Sequence, residues 1–413
     1  MKIVIATAVY YPQVNGVAVF SHNLAIGLVK RGHEVLAICP SRNGRNYTEM
    51  QDGVKVCYLR SIDIKVYPDQ IHKVPGNHIV MGVRLPNIMY RHGLRASVFP
   101  SLEVKKILDE FCPDVVHVQV SDPIGLSVVA YARKRRIPVV TTEHNQPEVI
   151  TDSLKIGLLK KPVNAMLSAY FRNRQSKSDF VTMPTELAIR KLVGEGAEFP
   201  VPVAAVSNGV DLSSFSPGKA KEEIYRKYGI PSDVPIVLYI GRIDPEKEVG
   251  QVIRAFKKAR AKVPTAELVV VGDGVEKAKL EASAKSLAGV HFLGRILPPD
   301  LYELYKVGTV FATASPVETQ GIVLIEAAAA GLPLIAVSAG AVAEVCRDGE
   351  NGVLCRPGSV EEMAEAMVQI LSDAKLQQKF AKRSVEIAQE HDFEKTLDKF
   401  INIYNRVIAL KNK

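Results

Sequence analysis

The chain has 413 residues, 47% of them hydrophobic and 23% charged, with a formal net charge of +9 and a mean hydropathy of +0.06. This is too long for one ordinary core and suits two domains of about 200 residues each; it excludes a disordered chain and any short tandem repeat. Cys39, Cys57, Cys112, Cys346 and Cys355 are odd in number, scattered and without a C-x-x-C, and the nine histidines have no H-E-x-x-H spacing, so a reducing cytosol is expected and a disulfide framework or zinc site is not.

The opening IVIATAVYYP is too short an apolar run for a signal peptide and reads as a first buried strand. No run is long enough to cross a bilayer, because Ala327 to Ala343 is broken by Gly331, Pro333, Ser338 and Gly340. Charge is uneven: residues 1–200 hold 26 Lys and Arg against 17 Asp and Glu, and the rest of the chain 27 against 27. Such asymmetry points to an anionic partner for the first half, a nucleic acid or an anionic membrane surface; a soluble protein of high pI with no such partner is the alternative.

Taken in order, Ile3 to Val9 is a strand buried on both faces, followed by a loop with Asn15 and Gly16, a helix to Gly32 and a strand from Val35 to Cys39. That is a βαβ unit, and ligands in such sheets sit beyond the carboxyl ends of the strands, which puts Asn15 and Gly16 at the rim of a site. There is no G-x-G-x-x-G and hence no nicotinamide or flavin fingerprint. Tyr47 to Val83 is irregular apart from a short strand at Val54 to Tyr58. The segment SLEVKKILDEF forms a helix that sets Lys105 and Lys106 opposite its apolar positions. Strands follow at Asp114 to Val118 and Pro138 to Thr142, the latter ending in Glu143-His144-Asn145. His144 is the histidine placed where chemistry occurs in this type of sheet; a structural imidazole is the plain alternative.

Leu154 to Lys177 interleaves Leu158, Leu159, Met166, Leu167, Tyr170 and Phe171 with Lys155, Lys160, Lys161, Arg172, Arg174 and Lys177. Such a pattern suits a surface helix packed on the core or one lying in a membrane interface. Residues 179–206 complete a first domain, expected to span 1–206, and FSPGKAK marks a linker. A second alternating series spans 207–391, with strands near Ile236, Glu267, Val290, Val310 and Leu334. The last helix, about 392–413, is expected to pack back on the first domain. The fold class is therefore α/β, with two doubly wound domains.

Chemistry concentrates in the second series. Arg242 and Lys247 lie just past the strand ending at Ile240, Gly272 and Gly274 past the next, and Gly294 and Arg295 past the one after. An arginine fork and a mobile lysine suit paired phosphate oxygens. In SPVETQGIVLIEAAAAG, residues 315–331, a helix starting near Thr319 presents free N–H groups to an anion, with Glu318 at its opening and Glu326 two turns deeper. Cations, a helix N-terminus and a carboxylate suited to ribose hydroxyls together describe a nucleoside diphosphate. Taken singly, each has an ordinary surface or capping role.

With YYPQVNGV, LVKRGHEV, PDVVHVQ, TTEHN, VSNGVDLSSFSP, YIGRIDPEK, VVGDG and ETQGIVLIEAAAAGLP, the chain closely resembles, along nearly its whole length, the retaining glycosyltransferases of glycosyltransferase family 4. These have the GT-B fold of two Rossmann-like domains. Among them it looks most like lipid-acceptor members of the diacylglycerol glucosyltransferase or phosphatidylinositol mannosyltransferase type. The resemblance implies that Arg242 and Lys247 hold the donor diphosphate and that Gly16 offers its backbone N–H to it. It implies further that Gly272, Gly294 and Arg295 border the donor, and that Glu318, with the amides of Thr319, Gln320, Gly321 and Ile322, meets the transferred sugar. Glu326 would take the ribose hydroxyls, and His144 would lie beside the reacting carbon.

The implied reaction moves a glucose or mannose from a UDP- or GDP-sugar, without a cofactor or metal, and the chain has no D-x-D. The implied acceptor is a membrane lipid, with Lys105, Lys106, Lys160 and Lys161 as candidates for contact with an anionic surface on the inner face of the cell membrane. A soluble sugar or small-molecule acceptor and a nucleotide-sugar 2-epimerase are the runners-up. A nucleic-acid partner is not expected, for want of an array of stacking aromatics. Glu248 departs from the pattern, standing after Lys247 where a small residue is common.

Overall fold

A computed structural model describes residues 1–11, 16–63, 79–80, 83–84, 95–119, 122–144, 160–193 and 199–411. Asn15, residues 145–150 of the acceptor loop, and Leu154 to Leu159 lie outside the described residues. The chain forms two compact units: Met1–Ser207 with Thr396–Lys413, and Asn208–Lys395.

The first unit is built on β1 (Lys2–Ala6), α1 (Gly16–Lys30), β2 (Glu34–Pro40), β3 (Tyr47–Gln51) and β4 (Val54–Leu59), with short strands β5 (Ser61–Asp63), β6 (Ile79–Val80), β7 (Val83–Arg84) and β8 (Arg95–Ser97) after them. Next come α2 (Ser101–Phe111), β9 (Val115–Val118), α3 (Pro123–Arg135), β10 (Val139–Thr142), α4 (Lys160–Gln175), β11 (Phe180–Met183), α5 (Glu186–Val193) and β12 (Val203–Ala205). The main sheet runs β12-β11-β10-β9-β1-β2-β4-β3, parallel except for the edge pair β3–β4. By sequence pattern Tyr47 to Gln51 is irregular. It is instead an antiparallel edge strand whose residues alternate between half-buried and exposed, which an apolar-run criterion overlooks.

Ile3, Val4, Ile5 and Ala6 are all fully buried, as the uninterrupted apolar run requires of a strand covered on both sides. One face packs Val4, Ala6, Leu36, Ile38, Val116 and Val118 against Val104 and Leu108 of α2 and Ile124, Val128 and Ala132 of α3. Helix α4 is less embedded than its apolar pattern suggests. Leu167 and Phe171 join a small cluster with Met183 and Leu192, but Met166 is 63% and Tyr170 48% exposed. The last helix of the chain, Phe393–Lys411, contributes Leu397, Phe400 and Tyr404 as buried residues of this unit.

The second unit contains α6 (Glu222–Tyr228), β13 (Ile236–Ile240), α7 (Val249–Arg260), β14 (Glu267–Val271), α8 (Lys277–Ala284), β15 (Val290–Gly294) and α9 (Asp300–Tyr305). It continues with β16 (Val310–Ala312), α10 (Ile322–Ala329), β17 (Leu334–Val337), β18 (Gly352–Cys355), α11 (Val360–Ser372), α12 (Ala374–Ala388) and the start of α13 (Phe393–Lys411). All six strands are parallel, ordered β15-β14-β13-β16-β17-β18. Alternate residues of β13 feed opposite cores. Ile236, Leu238 and Ile240 pack with α10, whereas Val237 and Tyr239 pack with α7 and α11. Strand β18 was not foreseen, because NGVLC is short and opens on glycine.

Candidate active site

Two groups of expected site residues sit at carboxyl ends of strands, one in each unit. In the first unit Gly16 opens α1 behind β1 and is exposed; a Cβ added there meets nothing within 4 Å. His144 follows β10, is 9% exposed, and places its ring 5.3 Å from that of Phe20 on α1. A buried polar chain holds it. Gln119 Oε1 accepts from His144 Nε2 at 2.8 Å, and the Gln119 amide approaches His117, whose Nδ1 lies 2.7 Å from Tyr404 Oη and whose Nε2 lies 2.7 Å from Thr142 Oγ1. Burial lowers His144 to about 4 and His117 to about 3, the neighbouring His144 adding to the latter. Both imidazoles are therefore neutral near pH 7, and with Gln119 taking Nε2–H, the Nδ1 of His144 is left as an acceptor.

In the second unit the loops after β13, β14 and β16 converge. Arg242 is aimed by its neighbours: its carbonyl accepts from Tyr239 Oη at 2.6 Å, its Nη1 donates to Asp244 at 2.5 Å and its Nη2 to Glu246 at 2.6 Å. Lys247 Nζ donates to Glu318 Oε1 at 2.6 Å, with both side chains about one-sixth exposed, and lies 3.5 Å from Ser315 Oγ. Glu318 is fixed at its backbone, where its carbonyl accepts from Ala341 N at 3.2 Å.

The loop after β14 packs so closely that a Cβ on Gly272 would come within 1.8 Å of Gly241 O and one on Gly274 within 2.0 Å of Ile243 O. Gly294 ends β15 with φ +72, and its carbonyl accepts the Gly272 N–H at 2.7 Å. Arg295 is exposed beyond it. Asp244, Glu246, Ser315, Tyr239 and Gly340, all part of this arrangement, were not singled out from sequence. Asp244 and Glu246 stand two and four residues after Arg242, and that spacing was the available signal.

The helix expected near Thr319 starts three residues later, at Ile322. Gly321 takes φ +76, which turns the chain before the helix, so Thr319 and Gln320 lie in the loop. Gln320 is 1% exposed, and its Oε1 accepts the Asn208 N–H at 3.0 Å, so its side chain serves the loop. Glu326 accordingly sits only about one turn into α10. Glu248 adopts φ +48, the left-handed conformation that favours glycine, which is the physical reason a small residue is common there.

Tyr305 Oη donates to Glu326 Oε2 at 2.5 Å, and burial raises the Glu326 carboxyl to about 7 against that hydrogen bond. A raised carboxylate favours the folded state most when protonated. Stability from this group is thus fully present below the ordinary value near 4.5 and is lost as pH rises through about 7. Denaturant unfolding of Glu326→Gln should lack that fall, a difference of roughly 3 kcal/mol; an identical pH dependence for variant and parent would remove Glu326 as its source.

Of the surface lysines, Lys105 is ion-paired with Asp109 at 2.8 Å, and Arg135 shares the same carboxylate at 2.9 Å. Its ammonium is thus ion-paired within the first unit while its side chain stays exposed. Lys106 and Lys161 are exposed, and Lys160 opens α4. Among the described residues no helix is long and apolar enough to cross a membrane.

Residues 14–214 match the profile of Glycosyltransferase Family 4 and residues 220–386 that of Glycosyl transferases group 1. The chain is 27% identical to the alpha-monoglucosyldiacylglycerol synthase of Acholeplasma laidlawii, over 90% of this chain and 88% of that protein. It is likewise 27% identical to a GDP-mannose-dependent alpha-mannosyltransferase of Mycobacterium tuberculosis, over 93% of this chain and 92% of that one. In structure it is similar to HepE of Anabaena, solved in complex with UDP and glucose, with a TM-score of 0.71 and 17% identity over 98% of this chain and all of that chain. The chain therefore belongs to the glycosyltransferases of the GT-B fold, a family 4 domain followed by a group 1 domain.

Proposed function

We propose that the protein transfers a hexose, with retention, from a UDP- or GDP-sugar to a membrane lipid such as diacylglycerol or phosphatidylinositol. The observation that carries this reading is the cluster of Arg242, Lys247 and Glu318 on the carboxyl ends of β13 and β16. Two cations suit the diphosphate, and a carboxylate one bond from Lys247 suits the hydroxyls of the sugar the diphosphate bears. Glu326, deeper in α10, takes the ribose hydroxyls, and the backbone amides of Thr319 to Ile322 border the sugar. Gly16, whose α-carbon is unhindered, lets a phosphate approach its N–H. The relatives named as an alpha-monoglucosyldiacylglycerol synthase and as a GDP-mannose-dependent alpha-mannosyltransferase support the acceptor and donor classes.

In the reaction the acceptor hydroxyl attacks the sugar's anomeric carbon on the face the diphosphate leaves. The bond from that carbon to the phosphate oxygen breaks, and the departing phosphate takes the hydroxyl proton. Arg242 and Lys247 stabilise the charge that builds on the phosphate and supply the positive charge a divalent ion would otherwise bring. Neutral His144, presenting Nδ1, accepts a sugar hydroxyl beside the reacting carbon.

For the lipid, the supporting observation is an exposed apolar group at the start of α2. Phe99 is 91% and Leu102 80% exposed, and Leu126 on α3 is 42% exposed next to Ser127, whose hydroxyl lies 3.1 Å from that of Ser101. Lys106 stands on the same helix, with the exposed basic run at Arg133 to Arg136 on α3. Apolar side chains beside cations suit the boundary of an anionic bilayer. Burying Phe99 and Leu102 there contributes about 1.5–3 kcal/mol each, so Phe99→Ala with Leu102→Ser should weaken binding to phosphatidylglycerol vesicles by about tenfold or more. The deciding experiment is thermal shift and nucleotide release with UDP-, GDP- and ADP-sugars, with and without vesicles containing diacylglycerol or phosphatidylinositol, and with EDTA. Lipid-dependent release from one donor, unaffected by EDTA, is the expected result; donor binding without lipid stimulation or flotation moves the acceptor to soluble sugars.

A further inference from the structure

The two cations proposed for the diphosphate are already occupied by carboxylates of their own unit. Arg242, Lys247, Asp244, Glu246 and Glu318 formally carry two positive and three negative charges, in two sets of ion pairs on these loops, Arg242 with Asp244 and Glu246 and Lys247 with Glu318. A diphosphate arriving there meets a net negative site unless a carboxylate gives way.

The two acids on Arg242 are not alike. Asp244 has a side chain only 2% exposed and uses both oxygens, one on Arg242 Nη1 and the other accepting Val275 N–H at 3.0 Å. It ties the loop after β13 to the loop after β14. Glu246 lies in the short turn Pro245–Lys247, with one oxygen on Arg242 Nη2 and the other, Oε2, buried without a hydrogen-bond partner. Burying a carboxylate oxygen that no donor meets is unfavourable, so Glu246 is held on the guanidinium by a single bond against a desolvation cost. A phosphate oxygen offers Nη2 the same charge-assisted bond.

Resting on the donor reading above, we infer that Glu246 is a displaceable carboxylate that occupies the anion-binding side of Arg242 in the free protein and sets how tightly a nucleoside diphosphate binds. Asp244 remains in place and aims the guanidinium as a positioning residue. On binding, Glu246 swings off Nη2 and gains solvent for both oxygens, while Nη1 stays on Asp244. Part of the attraction between Arg242 and the diphosphate is therefore spent on releasing Glu246, and removing that carboxylate returns it.

The test is titration calorimetry of the full chain with UDP and with GDP, for the parent, Glu246→Gln, Glu246→Ala and Asp244→Asn, with melting temperatures alongside. Glu246→Gln and Glu246→Ala should bind the preferred diphosphate about three- to tenfold more tightly, and Asp244→Asn at least about tenfold more weakly. Unchanged or weaker binding by both Glu246 variants at an unchanged melting temperature would overturn the inference, since Glu246 would then support Arg242 and not compete for it. Failure of the parent to bind either diphosphate is a separate result, which sinks the donor reading and the inference with it.

Discussion

Replacing Glu318 by alanine lowers the rate of sugar transfer by on the order of a hundredfold or more while leaving the second unit folded. The fold survives because what positions Glu318 is its backbone: its carbonyl accepts Ala341 N–H, and Gly340 at φ +58 brings a glycine against that same carbonyl. The side chain contributes chiefly the 2.6 Å bond to Lys247, and both partners keep some solvent contact, so its loss costs about 1 kcal/mol or less of stability. The rate is affected far more. A carboxylate on the sugar hydroxyls beside a developing oxocarbenium-like centre acts most strongly as that charge forms, which places its effect in kcat. Glu318→Ala also releases Lys247, so nucleoside diphosphate affinity should hold or rise as kcat falls. A matched pair of measurements, steady-state transfer and calorimetric binding, separates the two. Near-parental kcat would take Glu318 out of the chemistry.

The second large effect is structural. Gly274→Ala should destabilise the second unit by roughly 3–5 kcal/mol and abolish nucleoside diphosphate binding, because its Cβ would lie 2.0 Å from the carbonyl oxygen of Ile243 and 2.2 Å from the carbonyl carbon. Both atoms are backbone, so no rotamer change relieves the clash. The loops themselves must part. They are joined by Ile243 N–H to Asp273 O at 2.9 Å, Glu276 N–H to Ile243 O at 3.0 Å and Val275 N–H to Asp244 at 3.0 Å. Separation of the loops breaks these bonds and moves Asp244, and with it the Arg242 fork. Gly272→Ala should be at least as damaging, since φ +140 adds backbone strain to a 1.8 Å approach to Gly241 O. Denaturant unfolding of each variant checks this; stability within about 1 kcal/mol of the parent would mean that the loops separate freely.

Much of the architecture is written in local pattern. The strands β13 and β17, and β1 and β14 after their opening Lys2 and Glu267, are uninterrupted apolar runs, and a parallel strand covered on both faces needs little else. The helices between them show their apolar spacing, and the motif residues fall at carboxyl ends because strand and loop alternate in the chain itself. What local pattern misled was the start of α10. A propensity argument runs the helix back to Thr319, but the left-handed turn at Gly321 stops it, and nothing in residues 315–322 alone distinguishes that glycine from an ordinary loop residue. The edge strand β3 and the short β18 were lost for a related reason: their pairing partners, not their composition, make them strands.

Two α/β units, the order in which their strands appear, the family, and the candidacy of Arg242, Lys247, Glu318 and Glu326 are all legible along the chain, because each of these rests on residues close together in it. How those candidates are paired follows from the folded chain alone. Lys247 meets Glu318 across 71 residues, Tyr305 meets Glu326 across 21, and Tyr404 reaches His117 across 287, so none of these contacts leaves a trace in spacing. The same holds for Lys105, whose ammonium is paired with Asp109, a carboxylate that Arg135 also holds. A charged side chain's identity is local, but its electrostatic state depends on which opposite charges folding brings within a few ångströms and how much water remains between them.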